Sequence, residues 1–287
     1  PSNLEIIKLN DLRLAARLIS QQLRQGIHSG IRVGAGSEFE QYRHYQPGDD
    51  LKRIDWKYFS RSGKYMIKES TTESNLQIRL MLDLSGSMNY AENGFSRLDY
   101  AKNLIASLAY LGFLQGDALS YFTLSDGKIE QKVAPTPKSF QRILLFLEQA
   151  KAAGSWPLQP VSDSFLQGKE RELVVWVSDF LQKESEWEEL IQAFNHPRKE
   201  LMLIQILGEQ ELDFKLEGNF VFRDLESGQE VVQDARAMKT QFRERFQAYL
   251  DHLDQTFQSP NVQLIRVSMK EPLAGVIRQI LNRKKLA

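Results

Sequence analysis

The stretch QIRLMLDLSGS at residues 77–87 decides the fold. Its apolar residues lie between Ile78 and Leu82, and the run stops abruptly at Asp83, where a turn rich in Ser and Gly begins. A short apolar run of this kind is typical of a strand that is buried on both faces of a parallel sheet. We therefore predict a buried strand that ends at Asp83.

Strands and helices alternate along the rest of the chain. A helical apolar stripe runs from Leu98 to Leu111, and Asp126-Gly127 indicates a hairpin whose second strand forms an antiparallel edge. A second fully apolar strand at 173–177 ends at Ser178-Asp179, and a further strand follows at 201–207. This alternation predicts an α/β fold, a doubly wound and mostly parallel sheet of the Rossmann-like kind.

The beginning of the chain differs from this pattern. It has one amphipathic helical segment, then glycines, then a segment dense in charges and aromatic rings. We expect residues 1–75 to form an accessory segment that packs on the main domain of residues 76–287.

Composition narrows the classes of function. Lys plus Arg and Asp plus Glu are both 37, so no net charge holds the 287-residue chain on nucleic acid or on an anionic membrane. Cysteine is absent, which excludes thiolate metal sites and cysteine nucleophiles. The longest apolar run, Leu104 to Leu114, is shorter than the roughly 20 residues that cross a bilayer. We expect a cytoplasmic protein without a membrane span.

Polar oxygen donors follow the first buried strand at alternate positions. Asp83, Ser85 and Ser87 offer one carboxylate and two hydroxyls, and such hard donors suit Mg²⁺ or Mn²⁺. Asp179 ends the other apolar strand and lies alongside if the two strands are neighbours. The simpler alternatives are that the Ser and Gly residues only form a turn and that Asp179 caps the next helix.

A cation held by so few anionic groups keeps residual positive charge. An Asp or Glu side chain of another protein can then complete its coordination, so the pattern favours a reversible, metal-dependent binding module rather than an enzyme. None of the four histidines has metal-ligand spacing, and no phosphate-binding loop of the Walker type occurs.

Two groups of residues resemble known families. Asp83, Ser85, Ser87 and Asp179 resemble the metal-ion-dependent adhesion site of von Willebrand factor A-type (vWA) domains. The stretch YQPGDDLKRIDW at residues 45–56 is similar to the signature of the bacterial DUF58 proteins, which carry such a domain. The signature residues are Arg43, Tyr45, Gly48, Asp49, Asp50, Arg53, Asp55 and Trp56.

The resemblance covers roughly Gly36 to the C-terminus and carries three implications. It implies a vWA-like domain at 76–287 and a MoxR-type AAA+ ATPase as a partner. The family pattern also takes a Thr ligand from a Gly-rich loop between the two ligand strands. That loop reads Ala153-Gly154-Ser155-Trp156-Pro157 here, so Ser155 is the corresponding candidate, and the Asp that often follows the Thr is missing.

Two other functions remain as alternatives. An aspartyl-phosphate phosphatase also places an Asp after a buried strand and uses Mg²⁺, yet it needs a second carboxylate two residues on, where Ser85 stands. Basic and aromatic residues alternate over 43–68, as in grooves that bind single-stranded nucleic acid. Because acidic residues neutralise much of that charge, we predict a buried, salt-bridged structural loop there and no nucleic-acid partner.

Overall fold

The structure is a computed structural model, and it describes the following residues: 2–25, 41–45, 54, 56–69, 76–125, 128–155, 171–182, 188, 191–192, 198–213, 219–223 and 230–284. The helices are α1 (Asn3–Ile7), α2 (Leu12–Gln25), α3 (Trp56–Ser62), α4 (Arg97–Gln115), α5 (Ser139–Gln149), α6 (Glu209–Asp213), α7 (Ala235–Thr256) and α8 (Leu273–Lys284). The strands are β1 (Gln41–His44), β2 (Met66–Glu69), β3 (Gln77–Asp83), β4 (Ala91–Glu92), β5 (Phe95–Ser96), β6 (Ala118–Ser125), β7 (Lys128–Val133), β8 (Glu172–Ser178), β9 (Lys199–Leu207), β10 (Asn219–Arg223), β11 (Glu230–Asp234) and β12 (Val262–Ser268).

A six-stranded sheet with the order β12-β9-β8-β3-β6-β7 forms the centre of the protein. All of its neighbouring strands are parallel except β6 and β7, which form the predicted antiparallel edge hairpin. The prediction of a doubly wound, mostly parallel sheet is confirmed. From β3 the chain moves outward to β6 and β7, and then returns to the other side of β3 at β8. The strand order therefore reverses between β3 and β8, and open α/β sheets bind their ligands at such a reversal.

Two apolar clusters cover the two faces of this sheet. On one face α2, α4, α5 and α8 supply buried side chains such as Ile19, Leu104 and Val276. On the other face α7 supplies Leu250 and Leu253, which pack near Trp176 of β8. Covering on both faces explains why β8 is buried at every position.

The N-terminal helices are part of the first cluster. Ile6 of α1 and Ala15, Ala16, Ile19 and Leu23 of α2 are buried in the same core as the sheet. The apolar face of α2 is therefore covered by the main domain, and α1 and α2 pack on that domain as expected. The boundary at residue 75 stays a prediction. Among the described helices, none is long and apolar enough to cross a lipid bilayer.

The segment at 43–68 differs from its prediction in one respect. Ile54 is buried, but the Trp56, Tyr58 and Tyr65 side chains are 58%, 36% and 49% exposed. The prediction of a buried loop is therefore wrong for Trp56, Tyr58 and Tyr65. The aromatic rings of this segment contact one another instead, and Phe59 of α3 stacks on Tyr65 with 4.4 Å between the ring centres.

Candidate functional site

The candidate site lies at the carboxyl ends of β3 and β8. The two strands pair in parallel, with Leu82 opposite Val177, so Asp83 and Ser178 end side by side. Asp83, Ser85 and Asp179 are fully buried, with 0% of each exposed. The structure thus brings together the two strand ends that the sequence marked, at the point where the strand order reverses.

The Asp83 carboxylate organises the turn after β3. Its Oδ1 accepts a hydrogen bond from the Ser85 backbone N–H at 2.8 Å, and its Oδ2 accepts one from the Ser178 hydroxyl at 2.7 Å. The Ser85 and Ser87 hydroxyl oxygens are hydrogen bonded at 3.0 Å. Both carboxylate oxygens are therefore committed, and the two predicted hydroxyl ligands lie next to each other.

A glutamine side chain lies in the middle of these oxygens. The Gln182 Nε2 is 3.4 Å from Asp83 Oδ2, 3.3 Å from Ser85 Oγ and 3.4 Å from Asp179 Oδ1. Three of the four strongest candidate ligands thus surround one amide N–H₂ group. Sequence analysis did not identify Gln182, since its position three residues after Asp179 matches no part of the vWA resemblance.

A buried arginine neutralises part of the negative charge. The Arg97 guanidinium, 1% exposed, forms ion pairs with Asp179 and with Glu211 of α6, and it donates to the Ser87 backbone carbonyl at 3.1 Å. Its carbon also lies 4.9 Å from the centre of the Tyr90 ring. Arg97 was missed because it reads as an ordinary first residue of a helix, directly after the Ser96 cap.

Burial makes the Asp83 carboxyl group an unusually weak acid. Removal from water, helped by the negative charge of Asp179, raises the pKa of its carboxyl group to about 7. Hydrogen bonds from Ser178 and Ser85 act in the opposite direction. A second negative charge nearby and little water make this carboxylate a group that gains from an added cation.

The loop that precedes β8 contacts the same turn. The Gly86 N–H donates to the Gly154 carbonyl at 3.0 Å, and the Ala153 N–H donates to the Leu84 carbonyl at 2.8 Å. Gly154 has a φ of 79°, a left-handed conformation that favours glycine. Ser155 follows directly and is exposed. The loop is held against the site, and coordination by Ser155 stays a prediction.

The donor set suits a hard cation. Oxygens of Asp83, Ser85, Ser87 and Asp179 face one small region, and the group placed there is an amide N–H₂, which carries partial positive charge. Within the described ranges no cluster of three or more His, Cys, Asp or Glu side chains is arranged for a metal. A cation at this site would therefore rely on hydroxyl as well as carboxylate oxygens, as Mg²⁺ and Mn²⁺ can.

Most of the family signature lies outside the described residues, namely Gly48, Asp49, Asp50, Arg53 and Asp55. Arg43 belongs to β1, and Tyr45 N–H donates to the Tyr65 carbonyl at 3.0 Å, just beyond the pairing of β1 with β2. Trp56 begins α3 and meets the Phe59 ring edge-on at 6.1 Å.

Comparison with known proteins finds similar chains among both sequences and solved structures. An uncharacterized protein of Mycobacterium tuberculosis, Rv1480, is 25% identical over 295 aligned residues, which cover 96% of this chain and 92% of that one. Among solved structures, the conserved hypothetical protein BatB from Bacteroides thetaiotaomicron is similar with a TM-score of 0.46 and 17% identity, over 74% of this chain and 100% of that chain. The VWA domain of SpRpn10 is similar with a TM-score of 0.43 and 12% identity, over 71% and 94%.

The family itself is identified by its sequence profile. Residues 41–255 match the family described as "Protein of unknown function DUF58", so the match includes the signature, both ligand strands and most of α7. The chain belongs to the DUF58 family.

Proposed function

We propose that this chain is a cytoplasmic protein-binding module that uses a Mg²⁺ or Mn²⁺ ion to hold an acidic side chain of its partner. Asp83, Ser85 and Ser87 are the proposed ligands, with Asp179 and Ser155 as further contributors. The observation that carries the proposal is the convergence of carboxylate and hydroxyl oxygens from two neighbouring strand ends on one amide N–H₂ group.

The geometry favours binding over catalysis. Asp83 is fully buried and both of its oxygens accept hydrogen bonds, so it is poorly placed to attack a phosphate. The other carboxylate, Asp179, is paired with Arg97 and accepts the Leu181 N–H at 3.1 Å, which leaves it little freedom as an acid or base. These contacts are those of fixed ligand oxygens.

The partner is proposed from two sources. When bound, the cation supplies an open coordination position of positive charge, which an Asp or Glu side chain fills. Asp83, Ser85 and Ser87 would hold the ion, and the buried turn after β3 would exclude water from it. The family resemblance points to a MoxR-type AAA+ ATPase as the first partner to examine.

A pull-down from native cell extract tests the proposal. The wild-type protein should capture the ATPase in Mg²⁺ and release it in EDTA, and Asp83→Ala should capture little in either buffer. Glu130→Gln is the matched control, because Glu130 is a 62% exposed carboxylate on the edge strand β7, and it should behave as wild type. Capture that survives both EDTA and Asp83→Ala would show that the partner does not use the metal site. Mg²⁺-dependent hydrolysis of phosphate esters that vanishes in Asp83→Asn would favour the phosphatase alternative.

One observation favours a second candidate function. Trp56, Tyr58 and Tyr65 are exposed next to the exposed cations Arg61 and Lys64, an arrangement that suits stacking with single-stranded nucleic acid. Fluorescence titration of Trp56→Phe and wild type with a single-stranded oligonucleotide tests it. Salt-sensitive binding that weakens in a Tyr65→Ala variant would support it, and unchanged wild-type fluorescence would exclude it.

A further inference from the structure

We propose that Gln182 is a further ligand of this site, and that its side-chain amide turns over when a Mg²⁺-type cation enters. The inference rests on the proposed function, because it deepens the chemistry of the same site. It starts from a residue that neither the sequence pattern nor the family resemblance marks.

The two polar atoms of the Gln182 side chain differ in their hydrogen bonding. Nε2 has acceptors within hydrogen-bond distance, and Oε1 has no donor in the described part of the chain. Gln182 is 8% exposed, and its Oε1 is buried without a hydrogen-bond partner among the described residues. An amide oxygen removed from water with no donor costs free energy, so native structures rarely keep one without a reason. A polar atom left in this condition at the edge of a candidate cation site is best explained by a ligand role.

The other half makes weak contacts. Nε2 reaches three acceptor oxygens at 3.3–3.4 Å, near the outer limit of hydrogen bonding, while an amide nitrogen has only two hydrogens to donate. The Gln182 amide therefore adds little to the hydrogen bonds that the Asp83, Ser85 and Asp179 oxygens already accept from other groups. The partial positive charge of the amide N–H₂ group reduces the repulsion between the Asp83 and Asp179 carboxylates, although its hydrogen bonds to them are long.

Turning the amide over solves both problems when a cation is present. Rotation of the terminal amide by about 180° exchanges the oxygen and the nitrogen, which have nearly the same size. Without a cation that rotation brings Oε1 against other oxygens and is unfavourable. With a cation between them, Oε1 becomes a neutral hard ligand, the kind of donor that Mg²⁺ and Mn²⁺ accept.

The backbone after β8 is built to hold Gln182 over the site. Phe180 N–H donates to Ser178 Oγ at 2.9 Å, and Leu181 N–H donates to Asp179 Oδ1 at 3.1 Å. Phe180 has a φ of 51°, a left-handed conformation that is uncommon for a bulky residue and is retained where surrounding contacts impose it. Its carbonyl accepts a hydrogen bond from the Tyr249 hydroxyl of α7. This turn fixes the point from which the Gln182 side chain reaches the site.

A neutral ligand also fits the charge of the site. Asp179 is already paired with Arg97, so its carboxylate interacts less strongly with an added cation. A glutamine oxygen fills a coordination position without cancelling the cation's charge. The remaining charge is what an acidic group of the partner recognises.

A titration with Mn²⁺ tests the role of Gln182. Electron paramagnetic resonance measures the concentration of free Mn²⁺ and so gives the affinity. Gln182→Met keeps the length but lacks a hard donor, and it should bind Mn²⁺ at least tenfold more weakly than wild type. Gln182→Glu presents only oxygens and should bind at least tenfold more tightly. Gln247→Met is the matched control on the exposed face of α7 and should leave the affinity unchanged.

The amide itself can be observed in the wild-type protein. Adding diamagnetic Mg²⁺ should shift the side-chain ¹⁵N–¹H₂ resonances of Gln182, assigned by their loss in Gln182→Glu. This measurement decides the question if Gln182→Met fails to fold. Equal or tighter Mn²⁺ binding by Gln182→Met, or an amide resonance that Mg²⁺ leaves unchanged, would overturn the ligand role and leave the proposed function standing. A wild-type protein that binds no Mn²⁺ would overturn both.

Discussion

Buried charges lie at both ends of the same central strands, and the two groups are built differently. At the amino ends, the amino-end cluster consists of Arg79 of β3, Glu172 of β8 and Lys199 of β9. At the carboxyl ends, the carboxyl-end cluster consists of Asp83, Asp179, Gln182, Arg97 and Glu211. Both are shielded from water, so the comparison separates the effect of charge arrangement from the effect of burial.

The amino-end cluster is closed. Arg79 Nε donates to Glu172 Oε1 at 2.7 Å, and Lys199 Nζ lies 3.5 Å from Glu172 Oε2. The Arg79 guanidinium also stacks over the Phe122 ring at 4.9 Å. The Glu172 carboxylate directs each of its oxygens at a cation, which offsets part of the cost of burying these charges.

The carboxyl-end cluster is open. Two of its carboxylates, Asp179 and Glu211, share the Arg97 guanidinium. The third, Asp83, accepts hydrogen bonds from neutral groups, including the Gln182 amide at 3.4 Å. Uncompensated buried anions lower the free energy of unfolding. We infer from the difference that the amino-end cluster stabilises the fold, whereas the carboxyl-end cluster has the charge arrangement that the proposed cation would complete.

The largest effect is expected from Glu172→Gln at the amino end. Removing this anion takes away the carboxylate that the buried Arg79 and Lys199 share, which should lower the free energy of unfolding by about 3–5 kcal/mol. Urea unfolding monitored by circular dichroism measures the loss. Millimolar Mg²⁺ should not restore it, since the defect is an excess of positive charge. A loss below about 1 kcal/mol would mean that this cluster contributes little to stability.

Arg97→Gln is the matched change at the carboxyl end and should cost about 3 kcal/mol in EDTA, because it leaves buried carboxylates facing one another. Here Mg²⁺ should recover part of the loss, since a bound cation replaces the missing charge and binding to the folded state adds to its stability. The same urea titration with and without Mg²⁺ measures this. If Mg²⁺ stabilised Arg97→Gln no more than it stabilises Glu172→Gln, the two ends would not differ in the way we infer.

Metal affinity should depend most on Asp83. Asp83→Ala removes the carboxylate between Ser85 and Ser178 and should weaken Mn²⁺ binding by about 100-fold, roughly 2.7 kcal/mol. Ser85→Ala removes a neutral donor and should weaken it by about tenfold. Isothermal titration calorimetry gives both values. Equal Mn²⁺ binding by wild type and Asp83→Ala would rule out a metal site here.

The parts of this picture that were predictable are those that depend on local sequence. The apolar runs that end at Asp83 and Asp179 identified two strands and the polar residues at their ends, because a strand buried on both faces is apolar along its whole length. Doubly wound topology then placed the strand ends together.

What could not be predicted depends on contacts across the fold. Arg97 meets Asp179 across 82 residues, and Gln182 meets Asp83 across 99, so both contacts arise from the order of the strands and the angle of a turn. The exposure of Trp56 was also missed. Charges of both signs in one segment do not reveal whether they pair inside the protein or face water.

The smallest effect is a difference in the pH dependence of stability, measured in EDTA. Burial raises the pKa of Asp83 in the folded state to about 7, whereas an unfolded Asp titrates near its ordinary value of about 3.9. The folded state therefore holds this proton more tightly. The stabilisation that comes from this tighter proton binding is fully present below about pH 4 and is lost as the pH rises through about 7.

The Asp83→Asn variant keeps a hydrogen-bonding side chain that does not titrate. Comparing it with the wild type therefore cancels the effects of the other ionisable groups. Relative to Asp83→Asn, the wild type should lose about 1 kcal/mol of stability between pH 6 and pH 7. Thermal unfolding of both proteins at the two pH values measures the difference. Equal changes in the stability of the two proteins over this interval would mean that Asp83 is already ionised at pH 6, and that Arg97 compensates the carboxyl-end cluster more fully than its contacts indicate.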